Sequence, residues 1–206
     1  MKILEVLTTV FPEVKLIKFA RFPDDRGYFT ETYRFSQLEE VIPQLKIKQV
    51  MESHSKKWVL RGLHFQYDPP MGKLVRTVVG EMIDFFLDIR PNSKTFGKIG
   101  AVKMPSNWKD NFDTWIWVPF GFAHGNLYLE ESTIEYFATA TWNPLSEVGI
   151  NPLSANIDWS LVDKEIFDIF KNNKDKFIIS EKDKKGITLK DWQNDIRIKK
   201  IFPLDQ

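Results

Sequence analysis

An arginine and a histidine lie close together in a short apolar run, and they are the best candidates in this chain for chemistry. The run is Val59-Leu60-Arg61-Gly62-Leu63-His64-Phe65-Gln66, and His64 is one of only 3 histidines. A histidine can transfer protons near neutral pH, and an arginine beside it can hold an anion. A core histidine with satisfied hydrogen bonds would give the same local pattern, so the interpretation depends on partners elsewhere in the chain.

Two further segments carry candidate ligand-binding residues. The turn residues Pro23-Asp24-Asp25-Arg26-Gly27 place Arg26 at the tip of a predicted hairpin. In the second segment, Gly121 and Gly125 flank His124. Glycines allow the backbone to approach a ligand or another strand closely, so His124 is a second candidate for a binding site.

Composition limits the classes of function. The chain has 206 residues, 43% of them hydrophobic, and we predict a single domain over residues 1–206 with one well-buried core. The net charge of +1 predicts no general attraction to nucleic acid or anionic lipid. Cysteine is absent, which excludes disulfides, thiolate metal ligands and cysteine nucleophiles. With no signal-peptide pattern and no apolar stretch of membrane-spanning length, we expect a cytoplasmic protein without a membrane partner.

The elements that would position these residues are predicted to be mainly strands. The 17 Phe, 7 Trp and 5 Tyr are typical of sheet and are many for a helical bundle. Period-two alternation over residues 82–90, with Gly/Pro turns between many short runs, predicts a β-barrel or sandwich. Helices are predicted at 35–42 and, with Ser160 as N-cap, at 160–171, and a short one is predicted after Thr188.

Five segments follow one another along the chain: Asp25-Arg26-Gly27 with Phe29 and Glu31, Leu60 to Gln66, Gly72 to Arg76, Asp88-Ile89-Arg90 with Thr95-Phe96-Gly97, and Pro119 to Gly125. Together and in this order they resemble the dTDP-4-dehydrorhamnose 3,5-epimerase family of nucleotide-sugar enzymes. The resemblance covers roughly residues 16–158 together with the separate segment Ser180-Glu181-Lys182-Asp183, and so most of the chain. It implies a mainly β, cupin-type fold, a double-stranded β-helix or jelly-roll barrel with a few short peripheral helices, mostly C-terminal. It also implies a homodimer that uses neither a metal nor an organic cofactor.

The chemistry that the resemblance implies is epimerisation at C3, C5 or both of a nucleoside diphosphate 4-keto-6-deoxy sugar. Such sugars supply deoxysugars for surface polysaccharides or glycosylated products. The ketone acidifies hydrogens on its neighbouring carbons, so a base removes one as an enolate forms, and an acid returns a proton to the opposite face. His64 matches the base, Asp183 the carboxylate that orients it, and Lys73 the lysine that stabilises the enolate. Tyr136 matches the acid, although Phe137 competes for that position.

Other matched residues are expected to bind the substrate. They are Arg26, Phe29, Glu31, Gln49, Arg61, His124 and Trp142. Arg61 best suits the diphosphate because a guanidinium pairs with phosphate oxygens, and strand alternation is expected to place it on the same face as His64. Met51 and Trp142 stand where the family commonly has Asn and Tyr, so a GDP- or CDP-linked sugar, including a heptose, stays open.

Three alternative functions also stay open. A ketoisomerase of the same broad fold would move a proton through a similar enolate but would need its histidines placed differently. A metal-dependent cupin needs two or three closely spaced histidines and a carboxylate, whereas His54 lies ten residues before His64. A non-catalytic sugar-nucleotide binder is the alternative if Phe137 takes the acid position.

Overall fold

Runs of β-branched and aromatic residues form strands along most of the chain. The computed structural model describes residues 1–154 and 156–202, so residues 155 and 203–206 of the predicted single domain lie outside the described residues. Strands in the described part are β1 Ile3–Thr8, β2 Lys15–Ala20, β3 Phe22–Asp24, β4 Gly27–Phe29, β5 Gln49–Ser55, β6 Val59–Gln66, β7 Lys73–Asp88, β8 Ile99–Ser106, β9 Phe112–Val118, β10 Phe122–Tyr128, β11 Ser132–Ala138, β12 Glu147–Gly149 and β13 Ile178–Ile179. Helices there are α1 Phe35–Val41, α2 Lys164–Asn172, α3 Glu181–Lys184, α4 Leu189–Gln193 and α5 Ile198–Ile201.

Strand β7 joins the two sheets of the fold. Its first half pairs with β9 and β11, and its second half, from Gly80 onward, pairs with β8 and β10. Gly80 has φ +90°, and a Cβ there would lie 2.3 Å from Ser132 Oγ, so the crossover requires glycine. One sheet runs β1-β2-β9-β7-β11-β5 and the other β8-β7-β10-β6-β12, with β13 also along β6. This is a jelly-roll sandwich.

Apolar side chains fill three layers around these sheets. The layer between the sheets includes Val75, Met82, Phe86, Ile116 and Tyr128. Helix α1 covers the outer face of the first sheet, and the C-terminal helices cover that of the second, through Leu38, Ile166, Phe170 and Trp192. Both outer faces are therefore largely covered by packed apolar side chains.

The predicted mainly β fold with short peripheral, mostly C-terminal helices is confirmed. Helix α1 ends at Val41, one residue from its predicted end. The predicted start of the second helix at Ser160 is wrong, because Asp163 is its N-cap and accepts a hydrogen bond from the Glu165 N–H. Thr188 and Asp191 form the capping box of α4. None of the helices in the described ranges combines the length and apolarity needed to cross a membrane.

Candidate active site

A cavity of about 720 Å³ lies between the sheets and is lined by β5, β6, β7, β10 and β11. It brings together eight of the residues singled out from the sequence, which are His64, Lys73, Tyr136, Asp183, Gln49, Arg61, His124 and Trp142. Its volume is within the range of small-molecule sites. Residues distant in sequence therefore meet at one site large enough for a sugar nucleotide.

His64 and Asp183 form a hydrogen-bonded pair in the wall of the cavity. His64 Nε2 lies 2.7 Å from Asp183 Oδ1, and the Gly62 N–H donates to Asp183 Oδ2 at 3.3 Å. Burial alone would raise the pKa of Asp183, but the hydrogen bond and charge of His64 and the Gly62 N–H outweigh burial and lower it. Because an ionised carboxylate only accepts, Nε2 carries the proton and Nδ1 is left as the basic nitrogen.

The local sequence explains how Asp183 reaches a strand 119 residues away. The apolar residues of β13 pair in parallel with Val59 and Leu60 of β6, which lays this part of the chain beside the histidine strand. Ser180 then caps α3, accepting a hydrogen bond from the Asp183 N–H at 3.1 Å. The Ser-Glu-Lys-Asp segment is thus a helix start that turns the aspartate toward β6.

Arg61 and His64 both line the cavity, but the reason expected from the sequence is wrong. They are three positions apart, so an unbroken strand would place them on opposite faces. Arg61 pairs with Asn126 of β10, and His64 pairs with His124. A step of three residues on β6 therefore lies opposite a step of two residues on β10, and the extra residue on β6 forms a β-bulge. A Cβ on Gly62 would lie 2.6 Å from the His124 backbone oxygen, so glycine permits this close approach. The bulge therefore turns both side chains to the cavity.

Lys73 begins β7 and presents its ammonium group to the cavity. Among the described residues, it makes no ion pair within 4.0 Å. Burial lowers the pKa of Lys73, and the carboxylates of Glu147 and Asp84 only partly offset that effect. A lysine without a fixed partner is suited to stabilising negative charge that develops on a bound ligand.

Tyr136 and Phe137 face opposite sides of β11. Tyr136 lines the cavity, whereas Phe137 is 7% exposed and packs 5.0 Å from Trp115 and 5.2 Å from Tyr33, measured between ring centroids. Burial raises the pKa of Tyr136, a shift that Arg61 opposes. The geometry therefore puts a protonated phenol in the cavity at neutral pH and assigns Phe137 to the core.

Sequence reasoning missed Asp84, which forms a second histidine–carboxylate pair. His124 Nε2 lies 2.9 Å and 2.8 Å from the two Asp84 carboxylate oxygens, and Asn126 Nδ2 donates to Oδ2 at 2.8 Å. Asp84 is fully buried. In the sequence, Asp84 lies between Met82 and Phe86 on the same face of β7. An acid on an otherwise apolar face indicates a buried carboxylate, which requires hydrogen-bond donors from other strands.

Arg61, Gln49 and Trp142 lie toward the open side of the cavity. Arg61 Nε donates to Ser55 Oγ at 2.9 Å, and its Nη2 donates to the His54 carbonyl at 3.3 Å. Gln49 Oε1 accepts a hydrogen bond from the Trp142 N–H at 2.7 Å, and the Trp142 side chain is 52% exposed. An exposed indole and an oriented guanidinium suit an aromatic base and a diphosphate.

Three predicted binding residues are not part of this cavity. Arg26 is on the β3–β4 hairpin and pairs with Asp24 at 2.6 Å, while Phe29 is 70% exposed. Glu31 pairs with Arg34 at 2.6 Å and with the N-terminal amine. Their predicted substrate contacts are therefore not made within the cavity of their own chain.

The third histidine also lies outside the cavity. His54 is exposed and lies 3.0 Å from Thr133 Oγ1 and 3.0 Å from Glu131 Oε1. Each of the three histidines thus has a different carboxylate partner. Within the described ranges, no group of three or more His, Asp or Glu side chains is arranged to hold a metal ion.

A jelly-roll with an oriented histidine, a lysine and a partly buried tyrosine around one cavity defines the cupin-type carbohydrate epimerases as the class of this protein. The family model described as dTDP-4-dehydrorhamnose 3,5-epimerase matches residues 8–191. The chain belongs to this family of isomerases.

Individual relatives agree with the family assignment. The dTDP-4-dehydrorhamnose 3,5-epimerase of Shigella flexneri is 38% identical over 174 residues, which cover 79% of this chain and 93% of the relative. That of Salmonella typhimurium is 41% identical over 160 residues, covering 75% and 85%. The match to a Neisseria gonorrhoeae relative spans 48% of that protein.

Solved structures share the fold. A Legionella pneumophila dTDP-6-deoxy-D-glucose-3,5-epimerase, in complex with dTDP-4-keto-L-rhamnose, has a TM-score of 0.76 and 32% identity, covering 90% of this chain and 93% of that one. The Mycobacterium tuberculosis epimerase has a TM-score of 0.77 and 29% identity, covering 93% and 91%. The jelly-roll of this chain is therefore the fold of that family.

Proposed function

We propose that this chain inverts C3, C5 or both of a nucleoside diphosphate 4-keto-6-deoxy sugar by proton transfer through an enolate. The observation that carries the proposal is the His64–Asp183 pair, in one cavity with Lys73 and Tyr136. Together these groups supply what the reaction requires. His64 is the base, Asp183 the acceptor that orients it, Lys73 the cation for the enolate and Tyr136 the acid. The product is a deoxysugar nucleotide for surface polysaccharide or for a glycosylated compound.

In the first half of the reaction, His64 Nδ1 takes the proton from the ring carbon next to the ketone. The electron pair of the C–H bond forms a double bond to C4, and the carbonyl electrons move to O4. The Lys73 ammonium stabilises the negative charge on O4, and Asp183 stabilises the imidazolium that has formed. Because Nε2 is held at 2.7 Å by Asp183, the ring has a fixed direction for this transfer.

In the second half, Tyr136 donates its phenolic proton to the opposite face of the same carbon. The C4 carbonyl re-forms, the configuration is inverted, and the tyrosinate and imidazolium return to their starting states through solvent. The raised pKa of Tyr136 keeps the phenol protonated before the transfer. A second cycle at the other carbon neighbouring C4 inverts that centre in the same way.

The nucleotide end of the substrate is proposed to lie at the open side of the cavity. Arg61 would pair with the diphosphate, His124 and Gln49 would contact the substrate, and Trp142 would stack on the nucleobase. The relatives' names and the Legionella complex favour dTDP. The alternative is a single-centre epimerase or ketoisomerase on a GDP- or CDP-linked sugar, including a heptose, and Met51 in the cavity wall favours testing it.

We also propose a homodimer in which the β3–β4 hairpin of each chain reaches the site of the other. Arg26 and Phe29 match family positions that contact the nucleotide, yet both are exposed outside their own cavity. Exposed large apolar groups lie on the same hairpin, at Phe22 and Tyr28, and on the edge strand β1, at Leu4 and Val6. A second copy would cover that surface. A location in the cytoplasm is part of the same proposal, since a charged sugar nucleotide does not cross a bilayer unaided.

The experiment that tests the function is a panel of dTDP-, GDP- and CDP-linked 4-keto-6-deoxy sugars incubated with the protein in deuterated water. We expect deuterium at C3, C5 or both of at least one sugar, with inversion resolved by NMR of the product. No incorporation into any member of the panel would refute the epimerase proposal. A product with the carbonyl moved to a neighbouring carbon would favour the ketoisomerase instead.

A further inference from the structure

Trp58 lies in the turn between β5 and β6 and has a backbone conformation that tryptophan rarely adopts. Its φ is +66°, and no other non-glycine residue within residues 1–154 and 156–202 has a positive φ. A bulky side chain is strained in this left-handed region, whereas glycine adopts it freely. Such strain persists only where surrounding contacts enforce it, and it is concentrated at functional sites. The contacts that hold Trp58 in place therefore bear on function.

The backbone of Trp58 links β10 to β13. Its N–H donates to the Tyr128 carbonyl at 2.8 Å, and its carbonyl accepts from the Ile178 N–H at 2.9 Å. Ile178 is the first residue of β13 and pairs in parallel with Val59 of β6. Trp58 thus sets the point at which β13 meets the strand that carries His64.

The side chain of Trp58 contacts the residues immediately before β13. The indole and the Phe177 ring pack with their centroids 6.5 Å apart, at an interplanar angle of 33°. The ammonium groups of Lys57 and Lys176 each lie 5.2 Å from the centroid of the Trp58 ring, within the range of cation–π attraction. Lys57 belongs to the same turn, whereas Lys176 precedes Phe177. The indole therefore holds the segment that leads into β13.

Phe177 is in turn anchored to the core on the outer face of the second sheet. Its ring centroid lies 5.2 Å from that of Phe170 on α2, and Phe170 is 2% exposed. The Phe170 ring packs 5.6 Å from Phe85 of β7. Trp58 and Phe177 both pack against this core. The aromatic contacts thus connect the start of β13 to buried side chains of the sheet.

The strand β13 is too short to fix its position by its own pairing. It has two residues, and the first of them, Ile178, is 54% exposed. Ser180 follows it directly and caps α3, whose Asp183 carboxylate lies 2.7 Å from His64 Nε2. A displacement of β13 along β6 would therefore displace the carboxylate that orients the base.

We propose that Trp58 is a positioning residue of the epimerisation reaction. Its indole holds Phe177, which fixes β13 beside β6 and, through α3, the place of Asp183 against His64. Trp58 does not itself line the cavity, so this role requires no contact with the substrate. The inference rests on the proposed function and adds to its site a residue that lies behind the cavity wall.

The test compares Trp58→Gly, Phe177→Ala and their double variant in the solvent-deuterium assay, at equal folded concentration. Trp58→Gly suits the left-handed conformation and keeps both backbone hydrogen bonds, but it removes the indole. We expect each single variant to lower kcat by about 10-fold to 100-fold, because a small displacement of a catalytic group costs that much. The double variant is no worse than the more impaired single one, because both changes break the same contact. Trp58→Phe retains a ring against Phe177 and restores most of the rate.

A spectroscopic measurement separates positioning from a purely structural role. In ¹H–¹⁵N NMR, the Nε2–H proton of His64 reports its hydrogen bond to Asp183. We expect this resonance to move upfield in Trp58→Gly and in Phe177→Ala, because the hydrogen bond weakens as the carboxylate is displaced. A loss of stability alone would leave the resonance of the folded protein where it is.

The matched control is Phe167→Ala, which removes a ring of the same aromatic cluster. Phe167 lies on α2, and its ring packs 5.7 Å from Trp159 instead of against Phe177. We expect the control to lower the free energy of unfolding and to leave kcat and the His64 resonance unchanged. Phe177→Leu keeps an apolar side chain of similar volume and serves if Phe177→Ala does not fold, with an expected loss in kcat of about 3-fold to 10-fold.

Four results would overturn the inference. They are an unchanged kcat in Trp58→Gly, an unmoved His64 resonance in both single variants, strictly additive losses in the double variant, and an equal loss of kcat in the Phe167→Ala control. If the wild type incorporates deuterium and the Trp58 and Phe177 variants match it, only this inference fails. If the wild type incorporates none, the proposed function itself fails.

Discussion

The substitution Asp183→Asn tests the orientation of the base with almost no change in volume. Asp183 accepts two hydrogen bonds, from His64 Nε2 at 2.7 Å and from the Gly62 N–H at 3.3 Å. Asparagine has only one acceptor oxygen, and the buried Gly62 N–H requires it. The amide NH₂ group then faces His64 Nε2 and makes that nitrogen an acceptor. The proton of the neutral ring moves to Nδ1, so the nitrogen that should act as the base carries a proton.

The expected loss is therefore large. A wrong tautomer in a histidine–aspartate pair costs about 10⁴-fold in kcat in the serine-protease example, and we expect about 10³- to 10⁴-fold here. The assay is the initial rate of deuterium incorporation at C3 and C5, with ¹⁵N NMR of the imidazole to report the tautomer. A variant outside the cavity, Asp195→Asn, controls for the loss of one carboxylate, because Asp195 pairs with Arg197 away from the cavity. A rate for Asp183→Asn within about 10-fold of wild type would refute the orientation argument.

Three further predictions concern the lysine, the tyrosine and the residue beside it. Tyr136→Phe is expected to retain deuterium exchange at the carbon from which His64 removes the proton, but to lose inversion by about 10²-fold or more. NMR of the product measures the inversion. Inversion at the wild-type rate would contradict the role of Tyr136 as the acid. Phe137→Ala is expected to lower the free energy of unfolding, measured with denaturant, by about 3–5 kcal/mol. The protein that remains folded is expected to still invert the sugar carbon. An unchanged stability would contradict the place of Phe137 in the core. Because burial lowers the pKa of Lys73, its ammonium deprotonates as pH rises, so the basic limb of kcat begins below the ordinary value of 10.5. Burial raises the pKa of Tyr136 above its ordinary value of 10.0, and a limb that disappears in Tyr136→Phe would contradict the assignment to Lys73.

Much of the fold follows from patterns that act locally. Alternation and turn residues are enough to predict strands, and Thr188 with Asp191 is enough to predict a cap. The start of α2 was misplaced because Ser160 and Asp163 are both good caps, and tertiary packing decides between them. The crossing of β7 from one sheet to the other was not predicted, because it depends on which strands pair far along the chain.

The candidate site was predictable where a short motif or a simple period carries the information. His64 and Asp183 came from motif resemblance, and alternation along β11 separates Tyr136 from Phe137. The bulge that turns both Arg61 and His64 to the cavity was not predictable, since it is set by the pairing of β6 with β10. Asp84 was missed because its partners, His124 and Asn126, come from another strand, β10.

The hairpin residues Arg26 and Phe29 show a different limit. Their resemblance to nucleotide-contact positions is local, whereas their location outside the cavity is a property of the whole fold. A sequence motif cannot state whether its residues serve their own chain or a second copy. A monomer in sedimentation would contradict the proposed contact of each hairpin with the other chain, because that contact requires a dimer in solution.

In the proposed reaction, His64 removes a proton from the carbon next to the sugar ketone. The most direct measurement is deuterium incorporation at C3 and C5 of dTDP-4-keto-6-deoxyglucose in deuterated water, with wild-type protein and with His64→Ala compared at equal folded concentration. We expect incorporation by the wild type and none above the uncatalysed rate by His64→Ala at either carbon. Equal incorporation by the two proteins would contradict it.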